Sequence, residues 1–226
     1  MKKTKTILAL IMVVILMFAM GACGSDDDTT QETGVTETTE NTEAANDISA
    51  PKDSKMLVVF FSRTGEQYTV GVIDEGNTAV VAKMIAEKTG ADIYEIIPET
   101  DYPYTYAELT DVAKKEQNEN ARPAIKDALP DMSQYDTVFI GAPVWWGDWP
   151  MIMYTFFESA DLSGKNLIPF STHEGSGLSG FDKKLGSAVP DATVLDGLAV
   201  RGNDCQNDKA GVESEVDEWL SGLGIQ

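Results

Sequence analysis

The run Met56-Leu57-Val58-Val59-Phe60-Phe61 carries no polar residue at alternate positions. A strand with one face in water alternates apolar and polar residues, so this one reads as buried on both faces. Comparable short runs follow at 93–97, 137–142, 166–170 and 193–200. Helix-length stretches separate them at 78–88, 106–119, 150–158 and 181–189, and residues 208–220 form a last one. Val80, Val81, Met84 and Ile85 mark an apolar helix face that Gly90 then stops. Pro150 sits in the first turn of its helix, where a missing N–H costs nothing. Strands spaced by helices require right-handed crossovers, so the expected fold is α/β. The expected sheet is doubly wound, parallel and five-stranded, in the order 2-1-3-4-5, with helices on both faces.

The N-terminal part does not belong to that core. Lys2, Lys3 and Lys5 precede an uninterrupted apolar run over 7–20. The run is shorter than the roughly 20 residues a membrane-spanning helix needs. Gly21-Ala22-Cys23 follows it. The segment resembles a bacterial lipoprotein signal peptide over residues 1–22, whose removal would leave a lipidated Cys23 at the new N-terminus. Residues 23–53 are Thr, Glu, Asp and Asn with almost no large apolar side chain, the composition of a disordered acidic tether. The folded domain is expected over 54–226, exported and held by lipid at the outer face of the cytoplasmic membrane or on its periplasmic side. The formal net charge is −20, and losing the leader's three lysines deepens it. Nucleic acid and anionic membrane surfaces are poor partners for such a chain, so lipid is the only expected membrane contact. With two cysteines and one histidine, neither a disulfide framework nor a zinc cluster is expected.

In the 2-1-3-4-5 order, strands 1, 3 and 4 are neighbours, and ligands bind outside strand ends where the order reverses. These three strands run into Ser62-Arg63-Thr64-Gly65, Pro143-Val144-Trp145-Trp146-Gly147-Asp148 and Thr172-His173-Glu174-Gly175-Ser176-Gly177, while Asn77-Thr78 opens the first helix. In this order the segments resemble the flavodoxin family, in particular a bacterial branch with a Trp-Trp-Gly loop, over about 55–204.

The resemblance implies non-covalently bound flavin mononucleotide (FMN). Ser62, Arg63, Thr64 and Gly65 with Asn77 and Thr78 would cradle its phosphate, aided by the free N–H groups of a helix N-terminus. Alone, the same residues make a polar turn and an N-cap. Pro143, Val144, Trp145 and Trp146 would flank the ring, with Trp146 against it and Trp145 in the core; the plainer alternative is that both indoles pack internally. Gly147 and Asp148 match the family's flexible turn, whose carbonyl needs glycine to rotate. Thr172, His173, Glu174, Gly175 and Gly177 would face the pyrimidine edge. His173 either tunes the flavin or steadies its own loop, while Glu174 and Asp148 oppose negative charge on the ring.

Residues 66–76 interrupt the family pattern. Gly71 and Gly76 bracket Val72-Ile73, which suggests a small hairpin, and Tyr68 on it either covers the ring or folds away. The aromatic stretch 101–104 is expected over the sheet edge. No Gly-x-Gly-x-x-Gly fingerprint indicates direct nicotinamide use. The expected function is FMN-dependent electron transfer or a small flavin-dependent oxidoreductase, serving a redox partner protein or a small-molecule acceptor. The alternative is a non-enzymatic lipoprotein that captures another phosphorylated or aromatic molecule with the same fold.

Overall fold

The computed structural model describes residues 55–225. The expected leader, the expected lipidation site Cys23 and the expected tether lie outside the described residues. In chain order the elements are β1 (Met56–Phe60), β2 (Gly65–Gln67), β3 (Gly71–Ile73), α1 (Asn77–Thr89), β4 (Asp92–Glu95), α2 (Tyr106–Glu119) and β5 (Thr137–Pro143). They continue with α3 (Met151–Ser159), β6 (Asn166–His173), α4 (Phe181–Ala188), β7 (Thr193–Val194), β8 (Leu198–Arg201), α5 (Gly202–Asn207) and α6 (Lys209–Gly222).

The main sheet runs β4-β1-β5-β6, with β7 and β8 both pairing with β6, and every pair in it is parallel. Counting β7 and β8 as one position, this is the 2-1-3-4-5 order, reversing between β1 and β5. Successive side chains of β1 explain its unbroken apolar run. Leu57, Val59 and Phe61 pack with Ile140, Ile152 and Phe156 on one face, and Val58 and Phe60 pack with Val81, Ile85 and Val216 on the other. Both faces are covered, so neither tolerates a polar residue.

The fifth strand departs from the expected single element. The N–H groups of Thr193 and Leu195 donate to the carbonyls of Lys165 and Leu167, so odd-numbered residues of β6 face it. The next one is Pro169, which has no N–H to return. The ladder breaks there, and the register moves from Asn166↔Thr193 to Phe170↔Leu198, one extra residue on the outer strand. That extra residue makes a bulge, and the strand becomes two pieces.

Three further expectations are corrected. β6 continues to His173, because Pro143 and Thr172 still pair with each other, so Thr172 and His173 are strand residues. A short helix, α5, precedes α6, and Asp208 between them caps α6 by accepting from the Gly211 N–H at 3.1 Å. Tyr102 lies over the end of β1 rather than over the sheet edge, in edge contact with Phe61 and Trp145 at 5.5 and 5.0 Å. The expected hairpin is present as the antiparallel pair β2–β3. No helix among the described residues is long and apolar enough to cross a membrane.

Candidate functional site

Above the carboxyl ends of β1, β5 and β6 lies a cavity of about 410 Å³. Asn77, Pro143, Val144, Trp145, Trp146, Thr172, His173 and Glu174 line it, all of them expected from the sequence. Tyr68 of the hairpin, expected either to cover the ring or to fold away, also lines it. The rest of the wall was not foreseen: Tyr106, Leu109, Thr110 and Ala113 of α2, with Gln67 from the hairpin and Gly202 at the start of α5. Tyr106, Leu109, Thr110 and Ala113 follow the spacing of one helix face, the only signal in the sequence that could have marked them.

The two tryptophans part company. Trp145 is half-buried and meets Phe61 and Tyr102 edge-on, whereas Trp146 is 53% exposed. The Trp146 indole N–H donates to the Thr110 carbonyl at 3.0 Å, and the Lys114 ammonium sits 5.0 Å from its ring centre. Across the mouth, Tyr68 stacks on Tyr106 at 5.6 Å, so the hairpin leans on α2.

The helix end at the cavity is short of acceptors. Among the described residues, the Asn77 and Thr78 N–H groups have none, and Gly76 offers no side-chain cap. No acidic residue stands in the first turn of α1. Two free amides and an uncompensated positive dipole end suit an anion. Gln206 donates to Asn77 Oδ1 at 2.8 Å, which leaves the Asn77 NH2 group directed at Gly202. A methyl group on Gly202 would lie 2.3 Å from Asn77 Nδ2 and 2.8 Å from Glu174 Oε1, so only glycine lets both side chains close on that backbone.

The first loop behaves differently from expectation. The Arg63 side chain is half-buried and does not line the cavity. Its guanidinium donates to the carbonyls of Pro103, Tyr104 and Glu66 at 2.6–3.2 Å, strapping the hairpin to the segment before α2. Partial burial among those carbonyls pulls its pKa below the ordinary arginine value. Ser62 Oγ accepts from the Ala79 N–H at 3.1 Å, and Thr78 is buried with its hydroxyl 2.7 Å from that of Thr172. Ser62, Arg63 and Thr64 line a separate cleft with Asp74, Glu75, Glu95 and Asp101. Gly65 packs under Tyr104. These side chains build the frame of the helix end, and Asn77 is the member of the set that reaches the aromatic cavity.

In the third loop, His173 Nδ1 accepts the Gly175 N–H at 2.8 Å, so the neutral ring carries its proton on Nε2. Burial is the main cause that holds its pKa below the ordinary histidine value, partly opposed by Glu174. Glu174 Oε1 accepts the Asn203 N–H at 2.8 Å; its buried Oε2 has no hydrogen-bond partner and lies 3.6 Å from Arg201. Gly147, Asp148, Gly175 and Gly177 are not part of the cavity wall.

A family model described as Flavodoxin matches residues 55–220. No curated protein matches the chain. Among solved structures, a candidate flavoprotein from Bacteroides eggerthii is 30% identical, with 76% of this chain and 99% of that one covered and a TM-score of 0.61. A second, from Bacteroides uniformis, is 31% identical over 75% and 99% of the two chains, with a TM-score of 0.58. A Lactobacillus acidophilus flavoprotein, solved in complex with FMN, shares the fold at 22% identity over 74% and 98%, with a TM-score of 0.54.

Proposed function

The chain belongs to the flavodoxin family, and on that premise we propose that it binds FMN in the aromatic cavity and works as an exported redox flavoprotein. The observation that carries this reading is the meeting of a helix end with unpaired N–H donors and a cavity walled by four aromatic side chains, at the switch point of the sheet. The donors fit a phosphate and the walls fit a flat ring.

Bound FMN would supply reversible uptake and release of electrons. The chain's residues would do the rest. Asn77, the α1 amides and the frame held by Ser62 would hold the phosphate; Trp145, Trp146 and Tyr68 would enclose the ring and keep water from it. His173, as a neutral acceptor, would fix the backbone of the third loop beside the pyrimidine edge. The relative solved with FMN supports the choice of ligand. Export through a leader over 1–22 with lipid on Cys23 is the proposed route to its site of action, and a redox partner protein or small acceptor would meet it there.

The test is the visible spectrum of the purified protein and its thermal melt with added FMN. Flavin absorption, or a gain of about 2.7 kcal/mol at a hundredfold excess over Kd, is expected. Reversible bleaching by a reductant then separates a redox protein from a binding lipoprotein. A colourless protein whose melt ignores FMN would overturn the reading.

A further inference from the structure

We propose that Lys184 is a positioning residue for the cavity, holding the Trp146-Gly147 turn in place and cancelling the charge of Asp148; this rests on the FMN reading above. Trp145 and Asp148 exchange both backbone hydrogen bonds at 3.0 Å. The two residues between them, Trp146 and Gly147, have φ of 51° and 73°. This is a two-residue hairpin turn with both central residues left-handed, the geometry that Asn-Gly normally supplies. Gly147 accepts it freely. A bulky residue such as Trp146 is strained in that region, so the surroundings must hold it.

From α2, the Thr110 carbonyl and the Gln117 amide hold Trp146; Lys184, on α4, holds the Gly147 side of the turn. Its ammonium donates to the Gly147 carbonyl and, at 3.0 Å, to the Ser179 carbonyl, and it lies 3.3 Å from Asp148 Oδ1. Two of its three N–H groups are thereby used on backbone carbonyls, and its charge faces the Asp148 carboxylate. Ser179 follows the third loop and Gly147 ends the second, so one side chain fixes the spacing of the two ring-flanking loops. Asp148 Oδ1 also accepts from the Trp149 N–H at 2.8 Å and the Tyr154 hydroxyl at 3.0 Å. Among the described residues, Lys184 is the one cation within 4.0 Å of that carboxylate. Removing it would free the turn and leave an uncompensated negative charge outside the cavity wall, in the residue that closes the Trp146 turn, which opposes the electrons that FMN takes up.

The experiment compares the full-length protein with Lys184→Met, Lys184→Arg and the double variant Lys184→Met/Asp148→Asn. In the cofactor-free proteins, amide hydrogen exchange is followed over 143–150. In the loaded proteins, the midpoint potential of FMN is measured. Lys184→Met is expected to exchange about tenfold faster, equivalent to about 1.4 kcal/mol of lost protection. Its midpoint is expected to move negative, and Lys184→Arg to stay near the parent in both respects. The double variant should recover the midpoint but not the slow exchange, which a purely structural loss would not do. Parent-like exchange in Lys184→Met overturns the holding role, and a midpoint that stays displaced in the double variant overturns the charge role. If the parent takes up no FMN, the functional reading fails, while exchange still decides the turn.

Discussion

His173 is the chain's single histidine, so its titration can be followed without ambiguity. Its Nδ1 accepts the Gly175 N–H, a bond that needs the neutral ring, and burial depresses its pKa from 6.5. The unfolded chain therefore binds the proton more readily than the folded one. Its contribution to stability is complete above about 6.5 and is lost as pH falls through the lowered folded value. Glu95 and Glu116, whose pKa values are raised by partial desolvation, act in the opposite sense, so the histidine must be isolated by difference. The expected result is an NMR midpoint for His173 below 6.5 and a smaller loss of stability between pH 7.5 and 5.5 in His173→Gln than in the parent. A midpoint above 6.5 would remove the loop-acceptor role. Gly202 illustrates what a single sequence hides. Nothing adjacent to it reads as a motif, yet its missing side chain is where Asn77 and Glu174 close, residues 125 and 28 positions away by their numbering.

At the scale of elements, the sequence carried the sheet and lost the outer wall. The unbroken apolar run of β1 announces two covered faces, and strand-end loops follow from topology, so the inner half of the cavity was legible. Helix α2 was legible as a helix only. Its Tyr106, Leu109, Thr110 and Ala113 belong to a face that would look the same if it met a core, and only the fold shows that it meets a cavity. The split of the outer strand was readable in principle from Pro169, but it required knowing which side of β6 that residue faces. Arg63 misled for a related reason: a cation beside a phosphate-like loop looks like a ligand contact until its three carbonyl partners are seen. The α2 wall gives a sharp test. Ala113 lines the cavity and is 6% exposed, so Ala113→Phe should fill the space meant for the ring. FMN affinity should fall about a hundredfold, or about 2.7 kcal/mol. Cofactor-free stability should change by less, about 1 kcal/mol, since the added ring enters an open cavity rather than a packed core. Titration against denaturant unfolding of the empty protein measures both, and unchanged FMN affinity would place the ring elsewhere.

The whole molecule must reconcile proposed export with a proposed cofactor. The leader has Lys2, Lys3 and Lys5 but no paired arginines, so the chain would cross the membrane unfolded and meet FMN outside. The domain must then fold before it is loaded. Its packing is compatible with that demand, because the two buried clusters lie on the faces of the sheet and are filled by its own side chains. The cavity sits beyond the strand ends, with Val144 and Trp145 only at the margin of one cluster. Cofactor-free protein is therefore expected to unfold in one cooperative step, and FMN added after refolding should restore the full flavin complex. Replacing Cys23 by Ala should move the exported protein from the membrane fraction to the soluble one and leave FMN binding unchanged, since lipid and cavity belong to separate parts of the chain. Fractionation and a flavin titration of the two forms read this directly. A Cys23→Ala protein that stays with the membrane would point to an uncleaved leader as the anchor, and one that leaves the membrane but no longer loads FMN would tie loading to the membrane surface.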